Sequence, residues 1–422
     1  MLLASIVTAF LLLVVVVVVY DDPLYRRVAP IAFFVHLGIG LLIVPLVSYQ
    51  WDIIDFHSTA VDLLEGTPTD ASEKVVAFST FQAFLYLLFE PSVEILIVFN
   101  SLLAVLVAIP ASSLTNHLYP SVNGTNAVTI FVLFLPLPAF FTSVPMRDAF
   151  VLVLTFTALA LVVRCVLETS IRSATLAVPL VGLIYLVRTE IALLLVLAAL
   201  GGVGTRLLAR TVDRRFDWRD ASVALLCATL GSVLFGRYFP LETLNDQREI
   251  RSGGNAVYLE GLAYDSWLDV ALSIPITSIH FQFAPFPLHV DSPIHFAAGA
   301  YNVIVMVLFV SAVRSLHRRE TKTVVTSILV FTYVGGIVGY GLFSSNFGTT
   351  TRHRVLFDFL LVIVAAPVLT RWYRSLLERI GDRPHEQNDE HEQNNEAGEL
   401  NARLEIGSQH PDDAHHGERK DE

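Results

Sequence analysis

Cysteine, lysine and charge are all scarce in this 422-residue chain. Its two cysteines, Cys165 and Cys227, lie far apart, at or inside apolar segments. They read as packing residues rather than as a disulfide or a metal pair. Charged residues make up 16% of the sequence against 54% hydrophobic, with a mean hydropathy of +0.60. That balance excludes a soluble globular enzyme, a disordered protein and a secreted disulfide scaffold. Among the 28 basic residues only Lys74, Lys322 and Lys420 are lysine. An arginine bias with an acidic tail fits a GC-rich, salt-adapted prokaryote.

The net charge of −11 is unevenly placed. Residues 381–422 hold 13 Asp and Glu against 4 Lys and Arg, so −9 belongs to the tail and −2 to everything before it. The tail is rich in Glu, Asn, Gln, Asp and His and poor in large apolar residues. It has too little to bury, and the expectation is a disordered acidic segment on the cytoplasmic side.

Long apolar runs recur through residues 1–380. A bilayer core of about 30 Å takes roughly 20 apolar residues per helix. On that measure the chain is expected to be an all-α, polytopic membrane bundle of about eleven helices. The spans are residues 2–20, 29–48, 93–114, 127–144, 149–163, 174–187, 191–204, 221–236, 293–313, 323–343 and 355–370. The first lacks a basic start and a small-x-small cleavage site, since Tyr20-Asp21-Asp22 follows the valine run. It is therefore expected to be a retained helix.

Arginine sets the orientation. With the N-terminus outside and the spans alternating, 17 Lys and Arg fall on inner loops, 8 on outer ones and 3 in the far tail. The positive-inside rule selects that arrangement. It places the loops 49–92 and 237–292 outside, with the corners 145–148, 188–190 and 344–354. Five polar loops on one face suggest a site at the outer membrane–water boundary.

Within the first outer loop, Asp52, Phe56, Ala60 and Leu64 recur every four residues before Gly66. On a helix they form one stripe. An acid at the end of a membrane helix, beside Trp51 and Phe56, is suited to accept a proton from a hydroxyl. A plainer reading stands beside it, in which Asp52 caps the helix and Asp55 faces water.

This Asp-x-x-x-aromatic-x-x-x-Ala-x-x-x-Leu spacing resembles the GT-C superfamily of polytopic glycosyltransferases, which use polyprenyl-phosphate sugars. Protein O-mannosyltransferases and lipid A aminoarabinose transferases are members. The resemblance maps the family's catalytic acid onto Asp52. Many members have Asp-Glu there, whereas this chain has Asp52-Ile53, so Asp55 stands as the alternative acid; His57 follows the aromatic as in some members. The amphipathic stretch Phe78–Phe89, ending Phe89-Glu90-Pro91-Ser92, is similar to the family's surface helix. Pro136-Leu137-Pro138 with Pro145-Met146-Arg147-Asp148 is similar to its proline-rich helix end and basic-acidic corner. Arg188, and Asn346-Phe347-Gly348-Thr349 with Arg352-His353-Arg354, resemble later elements. No piece is as specific as a cysteine metal set; the weight lies in their order and common side, over most of residues 51–366.

The resemblance implies transfer of a sugar from a polyprenyl (dolichyl) phosphate to a glycan, lipid or protein acceptor at the outer face of the cell membrane. Asp52 or Asp55 would be the base. Arg147, Arg188, Arg352 and Arg354 would hold the lipid phosphate, since guanidinium donor forks match phosphate oxygens. Trp51, His57, Phe283 and Phe286 would line the substrate groove, aromatic faces being suited to sugars and to headgroup depth. For each arginine a surface ion pair is the bland alternative, Arg147 with Asp148 or Arg188 with Glu190. Arg352 and Arg354, flanking His353 in a short loop, read better as sharing an anion. A divalent ion on Asp52, Asp55 and His57 is open. Asp358, inside the last span, is expected to pair with a nearby polar group. Nucleic acid is not an expected partner. Two other functions compete: a polymerase or ligase of lipid-linked polysaccharide, and a lipid-sugar transporter. The latter calls for internal repeats and midplane charges, whereas the sequence shows no clear repeat and its charges cluster outside.

Overall fold

A computed structural model describes residues 1–47, 52–208, 213–214, 240–251, 257–286, 293–318 and 321–381. Trp51, the span at 221–236 and the acidic tail lie outside the described residues. The chain divides into two units, Met1–Thr370 and Arg371–Glu422.

The first unit is a helical membrane bundle. Helices α1 (Leu2–Tyr20) and α2 (Pro23–Gly38) open it. Helices α3 (Ile53–Glu65) and α4 (Glu73–Leu88) form a hairpin, and α5 (Val93–Leu106) runs into α6 (Ala108–Leu118). Then come α7 (Thr125–Phe134), α8 (Pro136–Ser143), α9 (Asp148–Glu168), α10 (Ile171–Val187) and α11 (Thr189–Leu208). The last described helices are α12 (Leu241–Arg251), α13 (Trp267–Phe283), α14 (Pro293–Arg318), α15 (Thr323–Phe343) and α16 (Phe347–Gly381). A two-residue antiparallel ribbon, β1 (Asp213–Arg214) with β2 (Thr321–Lys322), is a small addition to the all-α class.

Among the described residues eight helices are long and apolar enough to span a membrane, or nine if the bent pair α7–α8 counts as one. The expected count of eleven is not reached among the described residues. Helix α10 is apolar but short, α7 and α8 are bent by 57°, and 221–236 is not described. The bend follows from Pro136. Proline has no N–H to continue the ladder and pushes the residue before it out of the helical region, and Leu135 is extended at φ −60°, ψ 124°.

Helix α16 runs through the middle of the bundle, where residues 354–370 are buried without interruption. Residues 359–369 are apolar all round, as a fully enclosed helix requires. Helices α1, α2, α10 and α14 instead carry one exposed apolar face each, including Val15, Phe34, Val178 and Val310, which suits contact with lipid tails. Close helix approach rests on glycine at two places. A side chain at Gly336 would meet the Phe357 ring, and one at Gly341 would lie 3.0 Å from the Thr277 carbonyl oxygen.

The contacts separate the two ends of the bundle. At one end Met1 pairs with Glu90, Lys74 with Glu190, and Asp52 with Arg352. At the other, Arg206 donates to the Val166 carbonyl, Arg164 to Ser113, and Arg26 pairs with Asp21. Arg26, Arg164 and Arg206 thus lie at one end. The five polar segments chosen from sequence meet at the other, as far as they are described.

Candidate functional site

The site is assembled at three helix breaks. The corner before α9 is fixed from below by Asn100 of α5, wholly buried, whose side-chain amide donates to the carbonyls of Val144 and Met146 at 2.7 and 2.8 Å. This aims Arg147 and Asp148. The break between α10 and α11 supplies Arg188 at the last turn of α10. The start of α16 supplies Arg352, and Asn346 caps that start by accepting from the N–H groups of Gly348 and Thr349 at 2.8 and 3.4 Å.

Asp148 is the hub. One carboxylate oxygen accepts from Arg188 Nη2 at 2.8 Å, the other from Arg352 Nε at 2.6 Å. The side chains of Asp148 and Arg188 are 5% exposed and that of Arg352 is 7% exposed. Asp148 also lies in the first turn of α9, where the helix dipole favours an anion. Arg352 then reaches outward, and its Nη1 donates to Asp52 at 3.1 Å. The carboxylate of Asp52 is 51% exposed, so it joins the buried cluster to water. Asp52 does occupy the N-cap position of α3, yet its side chain makes no capping hydrogen bond. The plainer reading thus holds for the position of Asp52 and for Asp55, which is exposed, but not for a capping hydrogen bond.

Arg147 completes the group. Its Nη1 donates to the Val187 carbonyl at 2.9 Å and its guanidinium lies 5.6 Å from the centre of the Phe56 ring. The α3 stripe earns its spacing here: Phe56 and Ala60 are buried on the hairpin's inner side. Burial, with Arg188 and Arg352 nearby, lowers the pKa of Arg147 to about 10, so it stays cationic at neutral pH. Burial is the largest influence on Arg188 and disfavours its charge, but Asp148, Tyr340, Glu190 and Asp52 together outweigh it and raise that pKa. Glu190 accepts from Lys74 at 3.3 Å and from the Tyr340 hydroxyl at 3.4 Å. The bland local pairs are not what forms: Arg188 and Arg352 come to Asp148 from 40 and 204 residues away.

Four donors in this cluster point at nothing. Arg147 Nε, Arg188 Nε and Arg352 Nη2 are buried without a hydrogen-bond partner, and so is Arg251 Nη1. Arg251 ends α12, 5.9 Å from the centre of the Phe343 ring. Burial lowers its pKa, and Glu190, Arg188 and Tyr340 are among the groups it feels. No local sequence pattern marks it. It is delivered by Arg248, one turn earlier, whose guanidinium donates to the carbonyls of Leu259, Leu262, Leu342 and Ser344 at 3.2–3.4 Å and so ties α12 to the end of α15.

Arg354 does not join the group, which corrects its pairing with Arg352. The two sit in a helix, and residues two apart on a helix point about 200° from each other. Arg354 turns into the bundle and donates to the carbonyls of Gln282 and Ala284 at 2.9 and 3.1 Å and to Asn302 Oδ1 at 2.5 Å. Its partner carboxylate is Asp358 at 3.7 Å, which also accepts from Tyr301 at 3.0 Å and Gln282 at 3.4 Å. This network holds α13, α14 and α16 together.

The other residues singled out are scattered. Asp55 is exposed on the first turn of α3. His57 Nδ1 lies 2.8 Å from the Tyr86 hydroxyl, which also accepts from Gln82 at 2.6 Å and so pins α3 to α4. Phe283 meets Phe309 edge-on at 5.5 Å and Phe286 meets His280 at 5.3 Å. Among the described residues no three His, Cys, Asp or Glu side chains gather as a metal set would require, and Asp52, Asp55 and His57 form no such group. No family model matches the chain, and neither a curated protein nor a solved structure matches it.

Proposed function

We propose that this protein is a membrane glycosyltransferase that takes a sugar from a polyprenyl phosphate and passes it to an acceptor hydroxyl at the outer rim of the bundle. The observation that carries the reading is the 3.1 Å hydrogen bond from Arg352 to the half-exposed Asp52, with Arg352 itself held on Asp148 beside Arg188. Base and cations therefore stand side by side. Asp52 takes the proton of the acceptor hydroxyl. The acceptor oxygen bonds to the anomeric carbon as the bond from that carbon to the phosphate oxygen breaks. The bonding pair leaves with the phosphate, which departs as a lipid monoester. Guanidinium donors aimed at that oxygen stabilise the charge that grows on it. The orphaned nitrogens of Arg147, Arg188 and Arg352 are the donors available.

The orientation that puts this end outside rests on Arg26, Arg164 and Arg206 at the opposite end. The test is Asp52→Asn in the native cell, read as the glycan profile of surface proteins and lipids. Incomplete glycans, with a lipid-monophosphate sugar accumulating, support the reading. Complete glycans from an inserted, folded variant overturn it. Accumulation of a lipid-diphosphate oligosaccharide instead points to the polymerase or ligase.

A further inference from the structure

Proline breaks the α7–α8 run inside the membrane, and the repair comes from another helix. Helix α7 ends at Phe134 and Pro136 has no N–H, so the Leu133 carbonyl is left without a helical donor. The bilayer core has no water to serve it. His36 of α2 does so instead, with its Nε2 at 3.0 Å from that carbonyl oxygen. A carbonyl only accepts, so Nε2 carries the proton and Nδ1 is the acceptor. Nδ1 faces the hydroxyls of Thr142 and Ser143, at 3.3 and 3.2 Å, on the last turn of α8. One imidazole therefore spans the bend, with a nitrogen on each arm, and all three side chains are buried.

One turn further on, α2 widens into a π turn, Ile39–Ile43, and presses on the end of α8. A side chain at Gly40 would collide with Ile97 and lie 3.0 Å from the Ser143 carbonyl oxygen. The residues that follow Ser143 are the corner that Asn100 holds from α5, which presents Arg147 and Asp148. Asp148 in turn holds Arg188 and Arg352. The chain beyond α2 leads to Asp52 at the start of α3, so one helix braces the cations and also carries the base. We infer that His36 is a positioning residue of this site: by closing the α7–α8 bend it sets where the corner presents Arg147 and Asp148. It touches no ligand itself.

What the corner does is taken from the glycosyltransferase reading, while the measurement reads only how well it holds a phosphate. Purified full-length protein in detergent is titrated with dodecyl phosphate, and folded, monodisperse variants are compared. His36→Gln puts an amide N–H near the place of Nε2, whereas His36→Asn reaches only the place of Nδ1 and abandons the Leu133 carbonyl. The expected affinity is within about three-fold of the parent for His36→Gln and at least about ten-fold weaker for His36→Asn, since a misplacement of about 1 Å can cost about a hundred-fold where geometry decides. Thr142→Val with Ser143→Ala removes the hydroxyls of the other arm without altering α2. It is expected to weaken binding as His36→Asn does, and it decides the matter should His36→Asn not fold. Tyr119→Phe deletes a buried hydrogen bond to the Val364 carbonyl and controls for lost stability alone; it is expected to bind like the parent. Unchanged affinity in His36→Asn and in the double variant, equal loss in His36→Gln and His36→Asn, or the same loss in Tyr119→Phe overturns the positioning role and leaves the transferase reading standing. A parent that does not bind dodecyl phosphate overturns both.

Discussion

Replacing Asp148 by Asn isolates the hub of the site. The change keeps the shape of the side chain and removes its charge. In the protein Asp148 accepts from two arginines, at 2.8 and 2.6 Å, with 5% of its side chain exposed. Asparagine offers one acceptor oxygen in place of two and turns an N–H donor toward a guanidinium that also only donates. Each lost hydrogen bond to a charged group is worth about 1.5–3 kcal/mol. Breaking a buried pair by removing one partner costs about 3–5 kcal/mol, because the remaining charges stay buried. The two estimates agree, and the surviving arginines repel one another besides. The assay is thermal unfolding of purified protein in detergent, followed by loss of the monodisperse peak on size exclusion. Asp52→Asn is the internal control. Its carboxylate is half exposed and holds one cation, so its loss costs less than about 1 kcal/mol. Asp148→Asn is expected to lower the midpoint by several times the shift of Asp52→Asn. Equal, small shifts in both variants would refute the claim that Asp148 holds the arginines together.

Other outcomes follow from the same contacts. Asn100→Leu strands the Met146 carbonyl in the interior, about 1–3 kcal/mol, while Val144 keeps the Met146 N–H; it is expected to depress both thermal midpoint and glycan completion. Arg354→Met leaves the Asp358 carboxylate buried with Tyr301 and Gln282 alone, and the yield of folded protein is expected to collapse. The double change Arg354→Met, Asp358→Leu is expected to recover much of that yield, since a buried ion pair is replaceable by apolar packing whereas half of one is not. Gly336→Val drives a side chain into the Phe357 ring, with an expected loss of about 1–3 kcal/mol in the melt. Gly339→Ala on the same helix meets open space and is expected to leave the midpoint unchanged or slightly higher.

What the sequence revealed and what it hid divide along physical lines. Hydropathy fixed the helical class and most span positions, because a bilayer forces long apolar runs to declare themselves. It did not foresee that Pro136 bends the run 127–144 into two short helices. The arginines expected on one side that the structure describes in contact, Arg26, Arg164 and Arg206, lie at one end. The Asp52, Phe56, Ala60 stripe was legible since helix spacing alone aligns those residues. Asn100 carried a signal that passed unused: an amide amid apolar residues of a span demands partners. Asp148 was visible but read as a neighbour's ion pair, because a one-residue separation suggests contact that helix geometry does not provide. The separation of Arg352 from Arg354 depended on knowing that α16 begins at Phe347 and not after the histidine. Arg251 could not be found locally, as its approach is set by Arg248 holding four carbonyls from other segments.

The central claim is that this arginine cluster holds a lipid-borne phosphate beside Asp52. Native mass spectrometry of the protein purified gently from its own membranes tests it most directly, comparing the parent with Asp52→Asn and Arg352→Gln. The account expects a polyprenyl phosphate species bound to the parent, a sugar-bearing form retained by Asp52→Asn, and little or none on folded Arg352→Gln. A parent free of lipid phosphate, or an Arg352→Gln variant that keeps it undiminished, would contradict the account.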